Sequence, residues 1–136
     1  MRIVLDTNVL VSGLLSPHGA PAQVLGLLLE GEIDLCVDAR IIHEYREVLS
    51  RPDWPFSPDD ALIVLEALLD DALMVTPLPL NLTLPDQEDV MFVETALASK
   101  ADAIVTGNKK HFPRKKIKPP VLSPAEFIRI FHKAGS

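Results

Sequence analysis

A chain of 136 residues, 48% hydrophobic and 24% charged, is the size of one ordinary domain that buries a core without disulfides or a structural metal, which argues against a second domain. A single cysteine, Cys36, excludes an intrachain disulfide; it lies in the apolar run 33–37, as expected of a small core hydrophobe in a reducing, cytoplasmic setting. The net charge of −6 excludes nucleic-acid binding by overall basicity, and no long uncharged segment suits a signal peptide or a membrane span.

In chain order, residues 2–5 form an apolar run of strand length that stops at Asp6-Thr7-Asn8, and a second apolar stretch, 9–15, predicts a short helix before Pro17. Pro21 at a first-turn position and Gly31 past the last apolar residue bracket a helix over 20–30. Residues 33–37 read as the second strand. Asp38 caps a helix over 39–51, which Pro52 stops and in which Ile41, Ile42, Tyr45, Val48 and Leu49 share one stripe. Ser57-Pro58-Asp59-Asp60 opens a helix through Asp70, and 73–76 read as a short strand before a loop bearing Pro77, Pro79 and Pro85. Asp86-Gln87-Glu88-Asp89 starts an apolar helix ending near Lys100; 103–106 form a buried strand closed by Gly107-Asn108. Residues 109–118 hold six of the 13 basic residues (Lys109, Lys110, Arg114, Lys115, Lys116, Lys118) and no acid, so the other 126 residues carry −12. Val121-Leu122 suit an edge strand, and Ser123-Pro124 begins a last helix. Strands alternating with helices predict a three-layer α/β/α domain around a central parallel sheet, with ligands bound beyond the carboxyl ends of the strands.

That rule directs attention to the residues just after Leu5, Val37 and Thr106, and three acids from separate regions can converge at that edge. Asp6 follows the first strand, where an Asp serves either as a helix cap or as a functional group. Glu44 lies on the flank of the apolar stripe centred on Tyr45, with Arg40 and Glu47 on the opposite side at about 100° per residue. Asp89 stands in the first turn of its helix, behind Asp86 as the expected cap, and the helix runs into the strand that delivers Asn108 to the same edge. Carboxylates gathered without Cys or paired His suit Mg²⁺ or Mn²⁺, ions that activate water and stabilise charge in phosphodiester hydrolysis. The four histidines have no ligand spacing, which argues against zinc, and Asp102, ahead of its strand, belongs at the opposite edge.

Three blocks then carry a resemblance. Leu5-Asp6-Thr7-Asn8-Val9-Leu10-Val11-Ser12 resembles the opening motif of PIN domains. Glu44-Tyr45-Arg46-Glu47-Val48-Leu49-Ser50-Arg51-Pro52 is similar to the second signature of a bacterial and archaeal subgroup of VapC-like toxins from toxin–antitoxin systems. Leu84-Pro85-Asp86-Gln87-Glu88-Asp89, continuing to Thr106-Gly107-Asn108, resembles the third. The resemblance spans about residues 2–112 and implies one PIN-like domain over 1–136 that cleaves single-stranded or structured RNA with Mg²⁺ or Mn²⁺. By position, Asp6, Glu44 and Asp89 take the places of the first three metal-binding acids. The fourth place, normally Asp, is Asn108, which bears on a second metal; Asp86 is a substitute ligand. Lys109, Lys110, Arg114, Lys115 and Lys116, next to Asn108, are expected to hold RNA phosphates. The resemblance also implies an antitoxin protein as partner and a homodimer through the helices near 20–30 and 58–70. Two alternatives stand beside it: a non-catalytic RNA-binding or scaffold domain with a degraded site, and a phosphatase using Asp6 as nucleophile, which wants an Asp where this chain has Asn8.

Overall fold

The computed structural model describes residues 1–113 and 117–135. Its centre is a five-stranded parallel sheet of β1 (Arg2–Leu5), β2 (Asp34–Val37), β3 (Leu73–Met74), β4 (Ala103–Val105) and β5 (Val121–Leu122), in the order β3-β2-β1-β4-β5. Six helices, α1 (Thr7–Leu15), α2 (Ala20–Leu29), α3 (Ala39–Leu49), α4 (Pro58–Asp70), α5 (Val90–Ser99) and α6 (Pro124–Ala134), complete the three-layer α/β/α arrangement. Among the described residues no helix is long and apolar enough to cross a membrane.

The strand runs are short and apolar because they are buried on both faces: Ile3, Val4, Leu5, Cys36, Val37, Ile104 and Val105 are all excluded from solvent. β1 lies in register with β4 through Ile3–Ala103, Val4–Ile104 and Leu5–Val105, so residues 6 and 106 leave the sheet side by side. Strand order runs outward from β1 to β2 and β3 on one side and to β4 and β5 on the other. The order therefore reverses between β1 and β4, the place where open parallel sheets leave a crevice.

Local chemistry sets the helix boundaries. Asp38 accepts from the Ile41 amide at 2.9 Å, Ser57 caps α4, and Ser123 with Glu126 forms a reciprocal capping box on α6. Gly31 turns the chain from α2 into β2 at φ +75°, a conformation in which a Cβ is costly. The α3 helix ends at Leu49 under a Ser50 cap, three residues ahead of Pro52. Its stripe is as expected, with Ile41, Tyr45 and Leu49 buried. Arg40, expected on the far side, instead folds back to pair with Asp38 at 2.6 Å and with the buried Glu94 of α5 at 2.7 Å. Glu94 also accepts from the Leu80 amide at 2.6 Å, which ties the proline-bearing loop to α5.

Candidate functional site

Tyr45 sets the geometry of the site. Its hydroxyl donates to the Leu5 carbonyl at 2.5 Å, which fixes the rotation of α3 against the end of β1. The preceding residue, Glu44, is thereby turned toward Thr7, whose hydroxyl donates to Glu44 Oε2. Asp6 is held from the other side. Its amide donates to the Val105 carbonyl at 2.9 Å and its Oδ2 accepts from Thr106 Oγ1 at 2.7 Å, while the Asn108 amide donates to that same hydroxyl at 3.0 Å. Gly107 completes the join, its amide donating to Asn8 Oδ1 at 3.1 Å. Asp6 stands at the N-cap of α1 without a full side-chain capping bond, the Thr7 and Asn8 amides favour its charged form, and its carboxylate lines the crevice.

Asp89 closes a short 3-10 turn (Gln87–Asp89) ahead of α5, and Asp86 does cap that turn by accepting from the Glu88 amide at 3.0 Å. Asp6, Glu44, Asp86 and Asp89 line one cavity of about 430 Å³ together with Thr7, Asn8, His111 and, farther along, Val48, Arg51 and Trp54. Glu44 also borders a second cavity of about 660 Å³, on the side of Arg40, His43 and Glu94. Three acids from distant parts of the chain thus meet at the β1–β4 crossover.

The electrostatics are those of an uncompensated cluster. Burial raises the pKa of Asp6, against the Thr106 hydrogen bond that favours its charged form. Glu44 is raised by burial and by repulsion from Asp6, Glu88 and Glu47. Asp89 is raised to about 6, first by burial and then by Asp6 and Asp86, with His111 opposing. Its Oδ2 is buried and accepts no hydrogen bond; His111 Nδ1 lies 3.2 Å away without hydrogen-bond geometry. Among the described residues no three Asp, Glu, His or Cys side chains are grouped so that they could hold a metal ion together. A hard cation that keeps several waters and binds through one or two carboxylates fits this donor set: oxygen donors, an orphaned carboxylate oxygen and room for water.

Two parts of the expected site lie elsewhere. Asn108 leaves β4 at the right edge, but its side chain is not in the cavity wall, where His111 stands instead. Lys109 pairs with Glu126 of α6 at 2.7 Å and, with the Ser123 amide, draws that carboxyl down to about 2. Lys110 is exposed, while Arg114, Lys115 and Lys116 lie outside the described residues. Asp102 accepts from the Arg2 amide at 2.8 Å, at the far end of the sheet, as its place before β4 predicts. Sequence reasoning missed His111, Thr106, Arg51 and Trp54. Thr106 had a signal in the Thr-Gly that closes β4; His111, 22 residues after Asp89, had none.

The PIN domain family model matches residues 2–110. An uncharacterized protein of Methanocaldococcus jannaschii is 28% identical over a 145-residue alignment that covers 98% of this chain and 93% of that protein. Among solved structures, the crystal structure of VapBC2 from Rickettsia felis bound to a DNA fragment from their promoter superposes with a TM-score of 0.58 and 18% identity, covering 90% of this chain and 98% of that one. At that identity the likeness is one of fold.

Proposed function

Because the chain belongs to the PIN domain family, we propose that it is a Mg²⁺- or Mn²⁺-dependent endoribonuclease in which Asp6, Glu44 and Asp89 hold the ion, one or two of them directly and the rest through its waters. The observation that carries this reading is the meeting of those acids in one cavity at the β1–β4 crossover, each with its pKa raised. Such a cluster stores repulsion that a cation relieves. Asp86 is a further oxygen donor, and the neutral Asn108 leaves a deficit of charge that falls on a second ion. Held by these residues, a divalent ion would lower the pKa of a bound water and offset negative charge at the scissile phosphate.

The chain's own residues prepare that chemistry. Thr106 and Thr7 hold the carboxylates of Asp6 and Glu44 in place, so that little rearrangement is needed when substrate arrives. His111 beside Asp89 Oδ2 favours its ionised form. Lys110 and the neighbouring cations Arg114, Lys115 and Lys116 supply phosphate contacts.

The motif resemblance and the likeness of fold to VapBC2 support the narrower role of a cytoplasmic toxin of a toxin–antitoxin pair, with an antitoxin protein as partner. A homodimer is its working form: α2 and α4 pack against each other and expose Leu29 (48%) and Ile63 (68%). Sedimentation as a monomer at high micromolar concentration contradicts the dimer.

The decisive experiment incubates the purified protein with short labelled RNAs in Mg²⁺, Mn²⁺ or EDTA. Cleavage is expected only with a divalent ion and is lost in Asp6→Asn and Glu44→Gln. Cleavage in EDTA, or wild-type rates in either variant, overturns the assignment. The open donor set and Asn108 favour one second reading, a non-catalytic RNA-binding domain, which predicts undiminished binding in EDTA and no cleavage in Mn²⁺.

A further inference from the structure

The cavity that holds the acids has a second end. Its wall runs from Glu44 along α3 to Val48, one turn on and about 6 Å along the axis, and past the end of the helix to Arg51 and Trp54. Trp54 is the chain's single tryptophan. Two restraints hold its ring: Nε1 donates to the Val48 carbonyl at 2.8 Å, and one face stacks on Phe56 with centroids 5.9 Å apart and planes 19° apart. Trp54 borders the cavity and Phe56 does not. The indole is half-buried, a broad aromatic surface in the wall of the cavity that holds the acids.

We infer that Trp54 is the stacking platform for the nucleobase next to the scissile phosphate, so that the substrate is RNA unpaired at the cleaved position. The inference rests on the proposed nuclease reading, which puts the scissile phosphate at the acids. The adjoining sugar and base then occupy the rest of the same cavity, whose wall Trp54 shares with the acids. What they meet there is an apolar Val48, an aromatic ring and the guanidinium of Arg51. Among the described residues Arg51 pairs with Glu47, at 3.0 Å and half-exposed, a contact weak enough to be exchanged for a phosphate. Every base presents a π-face, so such a platform tolerates sequence but requires a base, and a base offers its face only when it is out of a duplex stack.

Because Trp54 is the only tryptophan, its emission reports the contact directly. The Asp6→Asn protein, which keeps RNA intact, is titrated in Mn²⁺ with a labelled single-stranded RNA, with an abasic strand of the same length and with the RNA annealed to its complement, while anisotropy of the label reads binding. Single-stranded RNA is expected to quench Trp54 with the midpoint given by anisotropy, and the abasic strand and the duplex to leave it unchanged. Trp54→Leu is expected to weaken single-strand binding by about 5- to 150-fold, the range that base stacking supports, with most of the loss rescued in Trp54→Phe. Binding without quenching, equal quenching by the abasic strand, or unaltered affinity in Trp54→Leu overturns the inference. Wild-type cleavage of RNA alongside any of these sinks the stacking platform alone, whereas RNA neither bound nor cleaved sinks the nuclease reading and this with it.

Discussion

At the scale of single residues, the candidate site is a contest between burial and ionisation. Asp89 is only 9% exposed, and its pKa of about 6 lies well above the ordinary 3.8. A folded-state pKa above the unfolded value contributes stability that is fully present below the unfolded pKa and is lost as pH rises through the folded one. Apo protein in EDTA is therefore expected to lose on the order of 2 kcal/mol between pH 4 and pH 7 on account of Asp89. Asp89→Asn should flatten that part of the profile, and Mn²⁺ should restore wild-type stability at pH 7. Thermal melts of both proteins across this range check it, and identical pH profiles contradict it. Thr7 offers a second test, since its hydroxyl is a single bond to Glu44 on a buried side chain. Thr7→Val keeps the volume and removes the donor, so RNA cleavage should fall about 10- to 100-fold while the fold persists. A wild-type rate in this variant would show that Glu44 does not depend on Thr7 for its place.

At the scale of elements, α5 and β4 do more than carry the acids. Glu94, midway along α5, holds both Arg40 of α3 and the Leu80 amide of the loop that leads to Asp86. Glu94→Ala leaves that amide and the guanidinium without their partner. Because Arg40 is half-exposed the cost should be about 2–3 kcal/mol, short of the full penalty of a buried pair. Chemical denaturation reads it, and a loss below 0.5 kcal/mol, within the usual range for a surface substitution, would mean the loop is held by other contacts. The β4 strand separates two polar residues by its own length, with Asn108 beyond its carboxyl end and Asp102 ahead of its amino end. Asn108→Asp adds charge at the edge of the acids and should lower the Mn²⁺ concentration for half-maximal cleavage. Asp102→Asn, bonded to Arg2 at the far end, should leave it unmoved. The reverse result would put the site at the wrong end of the sheet. Since the Asn108 side chain stands outside the cavity wall, the shift is expected to be modest.

At the scale of the molecule, charge is segregated: six cations fall between positions 109 and 118 of a chain whose remaining 126 residues carry −12. Lys109 is already committed to Glu126 on α6, so its loss should weaken the fold more than RNA binding. Replacing Lys110, Lys115 and Lys116 with Ala should instead flatten the salt dependence of RNA affinity by up to about 0.7 per cation removed, the slope for single strands. An unchanged slope would make the run a solvated surface. The elements themselves were legible in the chain because caps and periodicity are local: Asp38, Ser57, Pro21 and Gly31 bound their helices, and the stripe of α3 emerged from 3.6-residue spacing alone. The rule that ligands sit beyond strand ends pointed to Asp6, while Glu44 was legible from its angle on α3 and Asp89 from its place at the start of a helix. Strand order, the β1–β4 crossover and the company the acids keep were not legible, because each depends on which segments meet across 37 to 100 residues of chain. His111 reaches Asp89 and Thr106 reaches Asp6 only after the sheet has formed, and Arg40 turns to Glu94 only once α3 and α5 are packed. The sequence by itself determined the alternation of elements and the residue types available for chemistry. Only the tertiary structure decided which of them stand together, because burial and electrostatic repulsion act through space and not along the chain.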